Sequence, residues 1–185
     1  MDCVLGLDVS TSCTGWAVFT DNGEFRDMGS IVLPSKMSLY EKAGAVRDAL
    51  STLFISHPIC KVYIEENLQS FRRGFSSAKT LSTLARFNGI VSMVAYETYS
   101  VEPIHLNVNA ARKTLGIKLV RKSKGGAPTK QQVYEWVDSD VSKMKSYTWP
   151  TKTLKSGPRK DQQILDPTAY DMADAYVIAK AGILS

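Results

Sequence analysis

Long apolar runs are missing from this chain. No stretch of its 185 residues approaches the ~20 apolar residues that a membrane-spanning helix requires. The N-terminus shows neither a basic-then-apolar signal pattern nor an Arg-rich transit pattern, so a secreted protein is not expected. Cysteine is scarce. Cys3, Cys13 and Cys60 are odd in number and lack metal-ligand spacing, which argues against a disulfide framework and for a reduced, cytoplasmic compartment. There is no Walker A loop. Acidic residues are absent from two long stretches. Pro103 to Tyr134 holds Arg112, Lys113, Lys118, Arg121, Lys122, Lys124 and Lys130 with no Asp or Glu. Val141 to Lys160 holds Lys143, Lys145, Lys152, Lys155, Arg159 and Lys160, again without an acid. A charge run is ordinarily a solvated face. Two long one-signed runs, in a chain of net charge +5, point instead to a surface for a polyanion.

What remains is ordinary for a globular protein, with 44% hydrophobic and 22% charged residues. The length suits one domain, residues 1–185, large enough to bury most of its apolar surface. The first strand, Val4 to Ser10, is an apolar run that carries one carboxylate, Asp8, near its end. Buried carboxylates need partners. Asp8 either caps the small, polar turn Ser10 to Gly15 or belongs to a metal or phosphate site. Asp21-Asn22-Gly23 marks a hairpin between strands over about 14–20 and 24–33, giving an antiparallel meander.

Ser38-x-x-Glu41 is a capping-box pattern that opens a helix ending at His57-Pro58, with Leu39, Ala43, Val46, Leu50 and Leu53 as its core stripe. A fourth strand, Lys61 to Asn67, repeats the design of the first and ends in Glu65. A right-handed crossover sets it parallel to an earlier strand, and if that neighbour is strand one, Asp8 and Glu65 meet at the carboxyl edge of the sheet. Two carboxylates brought together repel unless a cation sits between them. The loop that follows places Phe71 and Phe75 around Arg72 and Arg73. The two aromatics either tuck under the domain or, with the arginines, contact nucleic acid. Residues 77–98 form a helix that is apolar nearly all round, so it either lies deep in the domain or packs one side on the sheet and the other on a partner subunit. Pro103 makes the strand at Val101 to Leu106 either an edge strand or one that starts late. Asn107 or Asn109 caps a short helix, and Thr129-x-x-Gln132 caps a longer one. Ser123 to Ala127 and Ser146 to Arg159 are expected as mobile loops, within basic loops near 117–128 and 146–160. Asp166-Pro167 starts the last helix, where Asp171 and Asp174 project from one face and Ala173, Ala175 and Ala179 allow close approach to the sheet. Taken alone, the two acids also suit the positive end of a helix dipole.

Two strand-end carboxylates and an Asp-x-x-Asp helix are the parts of a two-metal nuclease, whose oxygen ligands suit Mg²⁺ or Mn²⁺. Gly6-Leu7-Asp8, Tyr63-Ile64-Glu65 and Asp171-Met172-Ala173-Asp174-Ala175 resemble, in order and spacing, the RuvC family of Holliday-junction resolvases within the RNase H-like superfamily. The resemblance implies an α/β fold with a five-stranded mixed sheet flanked by helices. It implies a homodimer through the helix at 77–98, and Asp8, Glu65, Asp171 and Asp174 as ligands of two Mg²⁺ ions, with Mn²⁺ as substitute. It further implies paired nicks across four-way DNA junctions, with 5′-phosphate and 3′-hydroxyl ends. Lys130 resembles the family's catalytic-region lysine, and Lys113 does so more loosely. The segment Phe71 to Phe75 lies near the family's junction-centre aromatic. Arg112, Lys113, Lys118, Arg121, Lys122 and Lys124 join it as expected DNA contacts. Val9-Ser10 stands where the family has a proline-glycine turn, and the sequence at 146–160 is additional, as in a divergent, phage-encoded member working inside a bacterial cell.

Three rivals use the same residues. Leu7 to Ser12 with Gly15 to Val18 also resembles the first phosphate loop of actin-like ATPases and sugar kinases, but a second large domain and a glycine-rich adenosine motif are lacking. A non-catalytic DNA-binding relic would not need all four carboxylates. Another RNase H-like nuclease, acting on other branched DNA or on RNA–DNA hybrid, would share the metal site and differ in substrate.

Overall fold

The computed structural model describes residues 1–66, 78–144 and 146–185. Three antiparallel strands come first: β1 (Cys3–Val9), β2 (Cys13–Thr20) and β3 (Phe25–Val32). The turn between β2 and β3 is a three-residue loop, Asp21 to Gly23, with Gly23 at φ 91°, the left-handed position that such a loop gives to glycine. Helix α1 (Leu39–Ser56) opens with the predicted capping box: the Glu41 N–H donates to Ser38 Oγ at 3.3 Å, and the Ser38 N–H donates to Glu41 Oε2 at 2.7 Å. Strand β4 (Ile59–Glu65) then runs parallel to β1, helix α2 (Ala78–Tyr99) returns, and β5 (Ile104–Leu106) pairs parallel with β4. The order β3-β2-β1-β4-β5 is the expected five-stranded mixed sheet, with β5 at an edge and starting only after Pro103.

Alternation divides the sheet into two faces. Leu5, Leu7 and Val9 of β1, Val18 of β2, and Val62 and Ile64 of β4 pack with Val46 and Leu50 of α1 and Phe87 and Val91 of α2. Val4, Ala17, Phe19 and Tyr63 point the other way, to a core shared with the last helix, α5 (Thr168–Ile183). Helix α3 (Val108–Thr114), capped by Asn107, and helix α4 (Thr129–Ser142) complete that side. The sheet touches α5 at backbone distance. A methyl added at Gly6 would lie 2.5 Å from the Ala175 carbonyl, and one at Gly15 would lie 2.0 Å from the Asp171 carbonyl.

Four expectations change. Thr129 is the first residue of α4 and not its cap, and the Gln132 side chain is taken by the preceding loop. Ser123 to Ala127 is not a free loop: a short 3-10 turn spans Lys122–Lys124. Nor is Ser146 to Arg159 a free loop. It contains β6 (Thr151–Thr153), paired antiparallel with β7 (Gln163–Leu165), and is anchored by a Tyr147 hydroxyl that donates to the Met28 carbonyl at 3.0 Å. Trp149 is buried, and its Nε1–H donates to Asp138 at 2.7 Å. Finally, α2 is not buried all round within one chain. Phe87, Val91, Val94 and Ala95 are covered, while Met93 and Tyr96 stay about half exposed, at 53% and 49%. No helix among the described residues is long and apolar enough to cross a membrane.

Candidate active site

Asp8 has the same parity on β1 as Val4 and Gly6, so it faces α5. Glu65 has the parity of Tyr63 and faces the same way. The parallel register runs through Leu7–Ile64, which brings the next pair, Asp8 and Glu65, side by side at the carboxyl edge. The first turns of α5 hold Asp171 and Asp174 over that edge, because Gly15 lets the backbone at Asp171 rest on β2. The four sequence-predicted carboxylates therefore converge from three elements.

Burial, with repulsion from Glu65, Asp174 and Asp171, holds Asp8 well above the usual carboxylate range. Burial also raises Glu65, and Asp174 adds to that, while Arg112, a hydrogen bond with Asp8, and Lys130 pull it back. Asp174 is 5% exposed and is raised by burial, against the pull of Arg112.

Two cations answer the four acids. Arg112 Nη2 donates to Asp174 Oδ1 at 3.0 Å, and Lys130 Nζ donates to Asp171 Oδ1 at 3.2 Å. Burial works against the Lys130 charge, but Asp171, Asp174 and Asp8 outweigh it and hold its pKa above the ordinary lysine value. Arg112 was expected on the DNA-facing surface. Its guanidinium lies in the acid cluster instead, with its Nε–H buried and without an acceptor among the described residues. Lys113, the looser match, is exposed, as are Lys118, Arg121, Lys122 and Lys124. Phe71, Arg72, Arg73 and Phe75 lie outside the described residues.

Among the described residues, no group of three or more His, Cys, Asp or Glu side chains is gathered as a metal-ligating set. Asp171 and Asp174 are engaged by Lys130 and Arg112. The chemistry of the donors still fits a hard divalent cation. All four are carboxylates, they outnumber the cations that face them, and their crowding raises Asp8 and Glu65.

Three contributors were not read from the sequence. Asn88 is buried on α2, and its Nδ2 donates to the Glu65 carbonyl at 3.1 Å, fixing the end of β4. An Asn inside an apolar helical stripe was the available signal. Cys13 is buried on β2 with the parity of Gly15. Burial and a hydrogen bond to Asp171 raise its thiol to about 12. Lys42, 7% exposed within the α1 stripe, sends its Nζ to the Thr11 carbonyl at 2.6 Å and ties down the turn after β1.

No protein-family model matches the sequence, and no curated protein matches it. Solved structures do. The chain is similar to Thermus thermophilus RuvC in complex with a Holliday junction substrate, with a TM-score of 0.65 and 15% identity over 98% of this chain and 92% of that one. Thermus thermophilus RuvC in a second structure gives a TM-score of 0.58 and 17% identity, covering 97% and 92%. The yeast mitochondrial Holliday junction resolvase Ydc2 gives 0.53 and 13%, covering 97% and 77%. At such identities the likeness speaks for architecture, and across nearly the whole chain that architecture is the RuvC-like fold.

Proposed function

We propose that this chain is a metal-dependent endonuclease that resolves four-way DNA junctions by paired nicks. One observation carries the reading: Asp8, Glu65, Asp171 and Asp174 converge from β1, β4 and α5 on one edge of a RuvC-like sheet. The similar RuvC structure holds a Holliday junction substrate, and Ydc2 is a resolvase by name, which supports the same substrate class here.

In this reading the four carboxylates hold two Mg²⁺ ions, with Mn²⁺ as a substitute. Such ions supply, when bound, an activated water and stabilisation of the leaving oxygen. The chain's own residues do the rest. Asn88 and the Gly15 contact fix the carboxylates in place. Lys130, with 59% of its side chain exposed, offers a cation to the scissile phosphate. Arg112 sets the orientation of Asp174. Lys113, Lys118, Arg121, Lys122 and Lys124 neutralise backbone phosphates, joined by the segment Phe71 to Phe75. Two copies meet through the exposed stripe of α2 that includes Met93 and Tyr96, so that two nicks are made in concert.

The test is cleavage of a labelled four-way junction beside a linear duplex, in Mg²⁺ and then in EDTA. Paired nicks near the branch point, present in Mg²⁺ and absent in EDTA, are expected on the junction alone. Equal cutting of the duplex would point to a less selective nuclease. Binding without cleavage would point to the relic.

A further inference from the structure

The basic segment between α3 and α4 is a closed, fixed loop. Gln132, in the first turn of α4, holds Val120 at both ends of its backbone. Its Oε1 accepts from the Val120 N–H at 2.8 Å, and its Nε2 donates to the Val120 carbonyl at 2.9 Å and to the Ala127 carbonyl at 2.6 Å. The Arg121 carbonyl accepts from the N–H groups of Lys124, at 2.8 Å, and Gly126, at 3.1 Å. Gly126 passes so close that an added methyl would lie 2.1 Å from the Val120 carbonyl. This backbone is locked, yet it presents aliphatic side chains to solvent. Leu119 is 37% exposed and Val120 51% exposed.

Their neighbours say what covers them. Leu119 forms a wall shared by two hollows. One is lined also by Asn109, Arg112, Lys113 and Lys118, and the other by Val120, Arg121, Lys122 and Thr129. The first hollow leads to Arg112, whose guanidinium holds Asp174. The second carries no acid, and neither does any residue from Pro103 to Tyr134. A rigid apolar ridge between two cation-lined hollows matches a nucleic-acid strand, with phosphates on the cations and an aliphatic group between bases.

We infer that Leu119, with Val120, is a wedge that enters the base stack of bound DNA beside the cleavage point, parting two neighbouring nucleotides into the two hollows. The inference rests on the nuclease reading above and names how that site takes hold of its strand.

The experiment places 2-aminopurine singly at successive positions near the branch of a four-way junction. Fluorescence is read in EDTA, so the strands stay whole, and at saturating protein, with occupancy checked by anisotropy. The wild-type protein is expected to raise the plateau at two adjacent positions. In the double variant Leu119→Ser, Val120→Ser, exposed on a loop held by its backbone, those plateaus are expected to fall back to the free-junction value at equal occupancy. An unchanged plateau in the variant assigns the unstacking elsewhere, as to Phe71 or Phe75, and overturns the wedge. Wild-type binding with no rise overturns the wedge and leaves the nuclease reading standing. Failure to bind any DNA overturns both.

Discussion

Beneath α5 the sheet meets backbone, while beneath α1 and α2 it meets side chains. On the α5 side, Gly6 and Gly15 admit the helix at distances that no side chain could occupy. Around it, polar groups reach out in series: Tyr176 and Lys180 to Asp140, Arg112 to Asp174, and Lys130 to Asp171. On the other side Leu5, Leu7, Ile64, Leu50 and Phe87 fill space, and the buried Tyr99 hydroxyl simply donates to the Leu50 carbonyl. The contrast separates two tasks. One face sets the spacing of four carboxylates, where a fraction of an ångström matters. The other supplies apolar area, where volume matters more than position.

The sharpest way to break the contrast is Asp8→Asn. Cleavage is expected to fall to background, with junction binding kept. Stability should not fall with it. Burial and three neighbouring acids raise the folded pKa of Asp8, so its charged form works against folding as pH rises through that pKa. The amide removes that opposition. A metal-free Asp8→Asn protein at pH 8 should therefore melt no lower than the wild type, each kcal/mol released raising Tm by ~2–4 °C. A clear drop in Tm would mean that Asp8 is a structural partner and not a strained site residue.

Gly15→Ala comes next, and it strikes both readouts. Ordinary overpacking costs ~1–3 kcal/mol through side-chain adjustment. Here the added methyl meets the Asp171 carbonyl, which belongs to a helix backbone. The α5 start must shift, so cleavage per folded molecule should drop along with stability. Leu50→Ala on the opposite face provides the counterpart. It should cost ~2–5 kcal/mol through lost burial and a cavity, yet leave cleavage per folded molecule unchanged below its lowered Tm. If Leu50→Ala impaired turnover as strongly as Gly15→Ala, the division of labour between the faces would be wrong.

Much of the α5 face was legible beforehand, because two sequence patterns and one connection rule meet there. Each of the first and fourth strands showed an apolar run ending in a carboxylate, the crossover rule made those strands parallel, with their adjacency supplied by the structure, and helical spacing put Asp171 and Asp174 on one side of α5. What escaped depends on register or on a choice among partners. Arg112 looks like every other cation of its run, and only its placement on the short α3 turns it inward. Thr129-x-x-Gln132 has the letters of a capping box, but the Gln132 amide serves three backbone groups of the loop before it. The β6–β7 hairpin has three-residue strands, and β6, Thr-Lys-Thr, is exposed along its length, so it carries no hydrophobic period to detect. Lys42 interrupts an apolar stripe as a charge would on a solvated face, and only the fold shows that its ammonium turns in to Thr11.

The smallest effect concerns how α5 begins. Asp166 accepts the Thr168 N–H at 2.9 Å, the side-chain cap expected from Asp-Pro, with Pro167 already in helical conformation. That hydrogen bond from the Thr168 backbone holds the Asp166 carboxyl below its ordinary 3.8. A carboxylate with a lowered folded pKa contributes stability above its unfolded pKa and loses it as pH falls through the folded one. Asp166→Ala should therefore cost ~1 kcal/mol at neutral pH, with the difference from wild type shrinking below about pH 4. Asp166→Asn keeps an acceptor and should retain most of the neutral-pH stability without the acid dependence. The cap is only one turn from Asp171, so cleavage sharpens the comparison. If Asp166→Ala slows cleavage beyond its loss of folded protein, the helix start helps set the spacing of the carboxylates. If it lowers stability alone, that spacing belongs to the contacts of Gly6 and Gly15 with α5, where backbone meets backbone.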